Sequence, residues 1–129
     1  MPDPGWAHWT DLPVDESFEY GERYGVSDAL DSEQMRCSVI TFSPGERGPL
    51  HSHTDPQEEY YFVLEGTLDI TVGGDVVEAN EGTIIYTPPE TEHFPENNTD
   101  EDAILLTVSS PRIPPTDGIT VIEDVSTDN

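Results

Sequence analysis

The stretch HSHTDPQEEYYFVLEG, from His51 to Gly66, decides how the rest of the chain is read. Alternate side chains of a strand point to one face. His51 and His53 can therefore aim both imidazoles at a single point. An acidic residue on the next strand, Glu58 or Glu59, can meet them there. The run Tyr60 to Leu64 is dense in aromatic and aliphatic residues, as a strand requires, and Glu65-Gly66 ends it. His93 follows beyond two further strand-like runs, a separation that a barrel can close. Three neutral imidazoles and one carboxylate suit one divalent transition metal, Fe, Mn, Ni, Cu or Zn.

Outward from this stretch, strand and turn signals alternate. Met35 to Phe42 is rich in apolar and β-branched residues and stops at Ser43-Pro44-Gly45. Leu68, Ile70 and Val72 alternate with polar neighbours, and Gly73-Gly74-Asp75 predicts a hairpin turn. Thr83 to Thr87 is closed by Pro88-Pro89, and Ala103 to Val108 by Ser110-Pro111. The pattern predicts an all-β sandwich or barrel. Residues 1–34 read as an N-terminal arm with one or two short strands and a helical turn within 26–34. Residues 35–110 form the barrel. Residues 111–129 supply an edge strand from Ile119, Val121 and Ile122, then a disordered acidic tail.

Two motifs resemble those of the cupins. The first is Gly45, five residues, His51-x-His53, a short gap, Glu59, six residues, Gly66; the second is Gly82, five residues, Pro88, His93, three residues, Asn97. The resemblance implies a single cupin jelly-roll barrel, a double-stranded β-helix, with His51, His53, Glu59 and His93 as metal ligands. Two departures stand out. The gap from His53 to Glu59 is one or two residues longer than the family's usual spacing. Glu58 satisfies the shorter gap and Glu59 the spacing to Gly66; strand spacing favours Glu59, with Asp55-Pro56 absorbing the extra residue. Glu90 replaces a glycine of the second motif, so a positive φ there would strain it.

The chain has 129 residues, which predicts one domain. It carries 28 acidic residues against 4 Lys+Arg, a formal charge of −24. All four cations are arginines. Disorder, a basic partner and high salt each account for such a charge. The regular apolar runs oppose disorder, and the even spread of acid opposes a dedicated basic partner. A halophilic, haloarchaeal cytosol is the expectation, since salt screens the self-repulsion. The charge argues against nucleic acid or an anionic membrane as partner. No basic-then-apolar leader and no run of transmembrane length is present, so a cytoplasmic location is expected. Cys37, the single cysteine, reads as a small core residue.

Tyr61, on the same strand face as Glu59, is a candidate for ligand contact and, with Glu58, for a general base. Arg36 and Arg47 are candidates for an anionic group of the substrate. The resemblance implies three functions: a metal-dependent dioxygenase or isomerase-type enzyme, a non-catalytic module for a sugar-like ligand, or a barrel stabilised by its metal. It also implies a homodimer built through the N-terminal strands.

Overall fold

The computed structural model describes residues 3–114 and 117–123. Ten strands occur among them: β1 (Glu22–Gly25), β2 (Arg36–Phe42), β3 (Leu50–His53), β4 (Glu58–Glu65), β5 (Leu68–Val72), β6 (Asp75–Ala79), β7 (Ile84–Thr87), β8 (His93–Glu96), β9 (Ala103–Ser110) and β10 (Ile119–Glu123). One five-residue helix, α1 (Val26–Leu30), and a 3-10 turn at Trp9–Asp11 complete the elements. No helix among the described residues is long and apolar enough to cross a membrane. The tail at 124–129, expected to be disordered, lies outside the described residues.

The strands form two antiparallel five-stranded sheets, in the orders β1-β2-β9-β4-β7 and β10-β3-β8-β5-β6. The chain crosses repeatedly between sheets, so strands distant in sequence become neighbours. This is the all-β barrel that the alternating runs and turn signals predict, in the jelly-roll form that the resemblance implies. β1, from the N-terminal arm, pairs with β2 of the same chain, Glu22 opposite Thr41. β10 lies at the edge of its sheet beside β3, with Val121 opposite His51.

Period-two patterning sorts each strand's side chains. β4 alternates exposed or half-buried Glu58, Tyr60 and Phe62 with buried Glu59, Tyr61 and Val63. Phe42, Val63, Leu68, Ile70 and Leu105 fill one end of the barrel. Burying each such side chain contributes about 1.5–3 kcal/mol. Gly66 turns the chain from β4 to β5 at φ 76°, where a Cβ would lie 2.6 Å from the Asp102 carbonyl oxygen. Cys37 differs from its expectation. It is half-buried on the outer face of its sheet, because Arg36 and Ser38 take the inward positions on β2.

Across the inner face of the first sheet, side chains form rows set by register. Arg36 pairs with Ser109, Ser109 with Glu59, and Glu59 with Thr87. The next inward row is Ser38, Thr107, Tyr61 and Ile85. Directly opposed residues share a face of the sheet. The barrel interior is thus polar in the row containing Glu59 and apolar farther in.

Candidate metal centre

His51 and His53 project inward from β3, Glu59 from β4 and His93 from β8. One potential ligand atom from each lies within 4.8 Å of every other. His53, Glu59 and His93 are buried, at 1%, 4% and 0% exposure, and His51 lies at the edge of burial. The facing β3 and β8 bring His51 directly opposite His93. Glu59 arrives from the other sheet. Its Oε1 lies 3.1 Å from His53 Nε2 and 2.8 Å from His93 Nε2.

The Nδ1 atoms are all occupied. His51 Nδ1 lies 2.9 Å from the Pro49 carbonyl oxygen, and His93 Nδ1 lies 2.9 Å from that of Thr91. His53 Nδ1 bonds to Gln57 Oε1. A carbonyl oxygen can only accept, so each Nδ1 carries the proton. The orientation of Gln57 is set by its other end, whose Nε2 donates to the carbonyls of Pro111 (2.9 Å) and Asp117 (2.5 Å). In neutral imidazoles every Nε2 is therefore a bare lone pair facing the cluster. Gln57 is fully buried. Nothing in the sequence marks it as more than a polar turn residue.

The site's electrostatics follow from burial and proximity. Burial, then the neighbouring His93, pushes His51 down to about 4. Burial would raise Glu59, but the contacts with His53 and His93, as hydrogen bonds when those rings carry a second proton at Nε2, outweigh it and hold the carboxyl at about 2. Burial likewise opposes protonation of His53, yet contact with Glu59 raises it above its ordinary value. Burial, reinforced by the Glu59 charge, lifts Tyr61 well above the usual phenol range. Tyr61 is thus a neutral donor, not a base, at physiological pH.

Both departures from the motif spacing have structural answers. Residues 54–57 form a turn with a cis Asp55–Pro56 peptide, closed by a Gln57 N–H bond to the Thr54 carbonyl (2.9 Å). This lets Glu59, not Glu58, point inward. Glu90 does adopt a positive φ, 65°. Two bonds hold it there: its N–H donates to the His53 carbonyl (2.7 Å), and its Oε1 accepts from Asp55 N–H (3.0 Å). The substituted residue thereby ties the loop before His93 to the strand end that carries His53.

The other candidates separate. Glu58 is exposed on the outer face, where its carboxylate accepts from the Tyr86 hydroxyl, so the structure does not bring it to the cluster. Arg47 lies 3.7 Å from Glu96, outside the cavity beside the cluster. Arg36 and Tyr61 both line that cavity, of about 230 Å³, with His51, His53 and Glu59. Arg23, which no sequence signal singled out, lines it too. Asn97 is structural: its Nδ2 donates to the carbonyls of Phe42 (2.9 Å) and Glu101 (2.8 Å).

A family model described as "Cupin domain" matches residues 38–109, more than half of the chain. The chain belongs to the cupin family. This cupin is 36% identical over 83 residues to a putative mannose-1-phosphate guanylyltransferase of Vibrio cholerae, a match covering 61% of the chain and 18% of that protein. The chain thus spans less than a fifth of that relative's length. Among solved structures, a cupin-superfamily sugar phosphate isomerase from Silicibacter pomeroyi aligns at TM-score 0.67 and 25% identity, covering 72% of this chain and 60% of that one. The polyketide cyclase RemF from Streptomyces resistomycificus aligns at TM-score 0.75 and 20% identity, covering 95% and 86%. The last likeness is one of fold.

Proposed function

We propose that this cupin holds one divalent transition metal through His51, His53, Glu59 and His93, and presents a small molecule to it from the adjoining cavity. The observation that carries the reading is the hydrogen-bond conflict in the cluster. With every Nδ1 committed as a donor, His53 and His93 can hydrogen-bond to Glu59 Oε1 only by carrying a second proton at Nε2; in the neutral rings lone pairs face the carboxylate. A cation among these atoms converts that repulsion into shared ligation. The donor set of imidazole nitrogens and one carboxylate suits Fe, Mn, Ni, Cu or Zn. The oxygen acceptors behind each Nδ1 orient the rings and raise their basicity.

A bound metal would supply Lewis acidity or oxygen activation. The chain's own residues do the rest. His51, His53 and Glu59 face the cavity, so the centre is open on that side, which disfavours a purely structural metal. Glu59 is the single carboxylate among the described residues of the cavity wall. Tyr61 is held neutral and Glu58 points away. An isomerase therefore lacks a protein base among those candidates, and the dioxygenase reading does not need one. The sugar-related names of the relatives support small-molecule binding, with a sugar-like ligand as the non-catalytic alternative.

Elemental analysis of the purified protein tests the centre. About one equivalent of metal is expected, and His51→Ala with His53→Ala should abolish it. Full metal content in the double variant would sink the assignment. A homodimer through the N-terminal arm also has apolar surface available, since Trp6 and Val14 stand exposed there. Light scattering should give twice the chain mass. The chain's acidity suits a salt-rich cytoplasm, in keeping with the halophilic reading.

A further inference from the structure

Two of the four arginines in a chain of formal charge −24 line one small cavity. Their situations differ. Arg23 is neutralised: its Nη1 lies 2.7 Å from Asp15 and 3.7 Å from Asp28, and its Nε donates to Ser38 Oγ at 2.9 Å. Arg36 is not. Its one ion pair among the described residues is a 3.3 Å approach of Nε to Asp117 Oδ2. Asp117 is already gripped through both oxygens by Arg112, at 3.1 Å each. The terminal NH₂ groups of Arg36 make no hydrogen bond among the described residues. Yet the side chain is largely buried, at 19% exposure. A guanidinium in that position is desolvated without full compensation, which is costly unless a ligand supplies the acceptors.

Register places this group relative to the metal cluster. Arg36 and Glu59 share one inward row, separated by Ser109 on β9. Two strand spacings put their Cα atoms roughly 10 Å apart. Ile40, Phe42 and Leu105 provide apolar wall beyond them. The cavity, about 230 Å³, has the volume of roughly eight waters.

We propose that the ligand is a small monocarboxylate with an apolar body, its carboxylate held by the terminal NH₂ groups of Arg36 and its other end turned to the metal cluster. This rests on the metal reading above and names the substrate class of the same site. One incompletely paired guanidinium matches a single negative charge. A phosphate dianion would call for a second such cation, and Arg23 is already neutralised by its acids. The planar fork of Arg36 fits a carboxylate through two parallel bonds.

The experiment is calorimetric titration of the as-purified protein with benzoate and with benzamide, its neutral isostere, alongside metal analysis of the same samples. Benzoate should bind at least tenfold more tightly than benzamide. Arg36→Gln should erase that preference while leaving metal content unchanged. Arg36→Lys, which keeps the charge but loses the fork, should retain an intermediate preference and guards against misfolding of the first variant. Equal binding of the two probes to wild type would overturn the proposal, as would a preference that survives in Arg36→Gln, because the carboxylate would then be read elsewhere. Repeating the titration after chelation separates the two readings. Absence of metal from wild type overturns the metal centre alone, whereas loss of the Arg36-dependent preference overturns the carboxylate subsite.

Discussion

Replacing Gln57 with Leu should damage both the fold and the metal centre, through three hydrogen bonds that meet in one buried amide. Oε1 accepts from His53 Nδ1, and Nε2 donates to the Pro111 and Asp117 carbonyls. Leucine has similar volume but no polar atom. It leaves one imidazole N–H and two carbonyls without their partner. An unsatisfied buried polar group costs about 1–3 kcal/mol. The carbonyls are reached more easily by water than His53, so a total of about 3–4 kcal/mol is expected. That is a large share of the roughly 5–15 kcal/mol that holds a domain together. In a chain of this length it corresponds to a Tm loss of roughly 10–15 °C. The His53 ring also loses the acceptor that fixes its tautomer, so metal affinity should fall about 10–100-fold. Urea denaturation of metal-free protein measures the first effect, and competition with a chromophoric chelator the second. Gln57→Leu within about 0.5 kcal/mol of wild type, a difference typical of neutral surface changes, with unchanged metal affinity, would refute the reasoning.

Thr87→Val should be neutral or stabilise the metal-free protein by about 1 kcal/mol, because the buried Thr87 Oγ1 has no hydrogen-bond partner among the described residues; a thermal melt that shows clear destabilisation would contradict this. Gly118→Ala should destabilise by about 1–2 kcal/mol, since φ is +78° and the new Cβ would sit 2.9 Å from Gln57 Oε1; urea denaturation beside Gln57→Leu checks it. Raising KCl from dilute to molar concentration should raise Tm, because the screening length falls from about 10 Å at 0.1 M to about 3 Å at 1 M; equal stability in both would end the halophilic reading. Asp117 is held below its ordinary pKa of 3.8 by hydrogen bonds from Arg112, against the opposing effect of burial. Its folded pKa is the lower one, so its contribution is fully present above the unfolded value and is lost as pH falls through the folded value. Asp117→Asn should therefore flatten the loss of stability below about pH 4, as read from denaturation at successive pH values.

The inward placement of His51, His53 and Glu59 and the departures around them were legible because they depend on short-range regularities, whereas His93 joined them only through the motif resemblance. His51 and His53 share a face whatever the strand pairs with. Glu59 alternates with Tyr61 and Val63, and the glycine spacing separates it from Glu58. The strain at Glu90 was equally readable, because positive φ disfavours any residue with a Cβ. Cys37 shows the limit: its strand was evident, but both faces of β2 carry plausible core residues. Which one turned inward depended on pairing with β9. The split between Arg36 and Arg47 has the same origin, since scarcity of cations drew attention to both and register placed only Arg36 on the inner face.

By itself the sequence determined the all-β class, the alternation that points His51, His53 and Glu59 inward, and the acidic character of the surface. These follow from local periodicity and charge. Tertiary structure alone decided that Gln57 locks His53, that Arg23 joins Arg36 at the cavity, and that Arg36 keeps donors to spare. Each of those depends on groups far apart in the chain: Gln57 is held by carbonyls of Pro111 and Asp117, and Arg36 reaches Asp117 across the barrel end. A hydrogen bond requires two atoms within about 3 Å, and only the closed barrel brings those atoms that near.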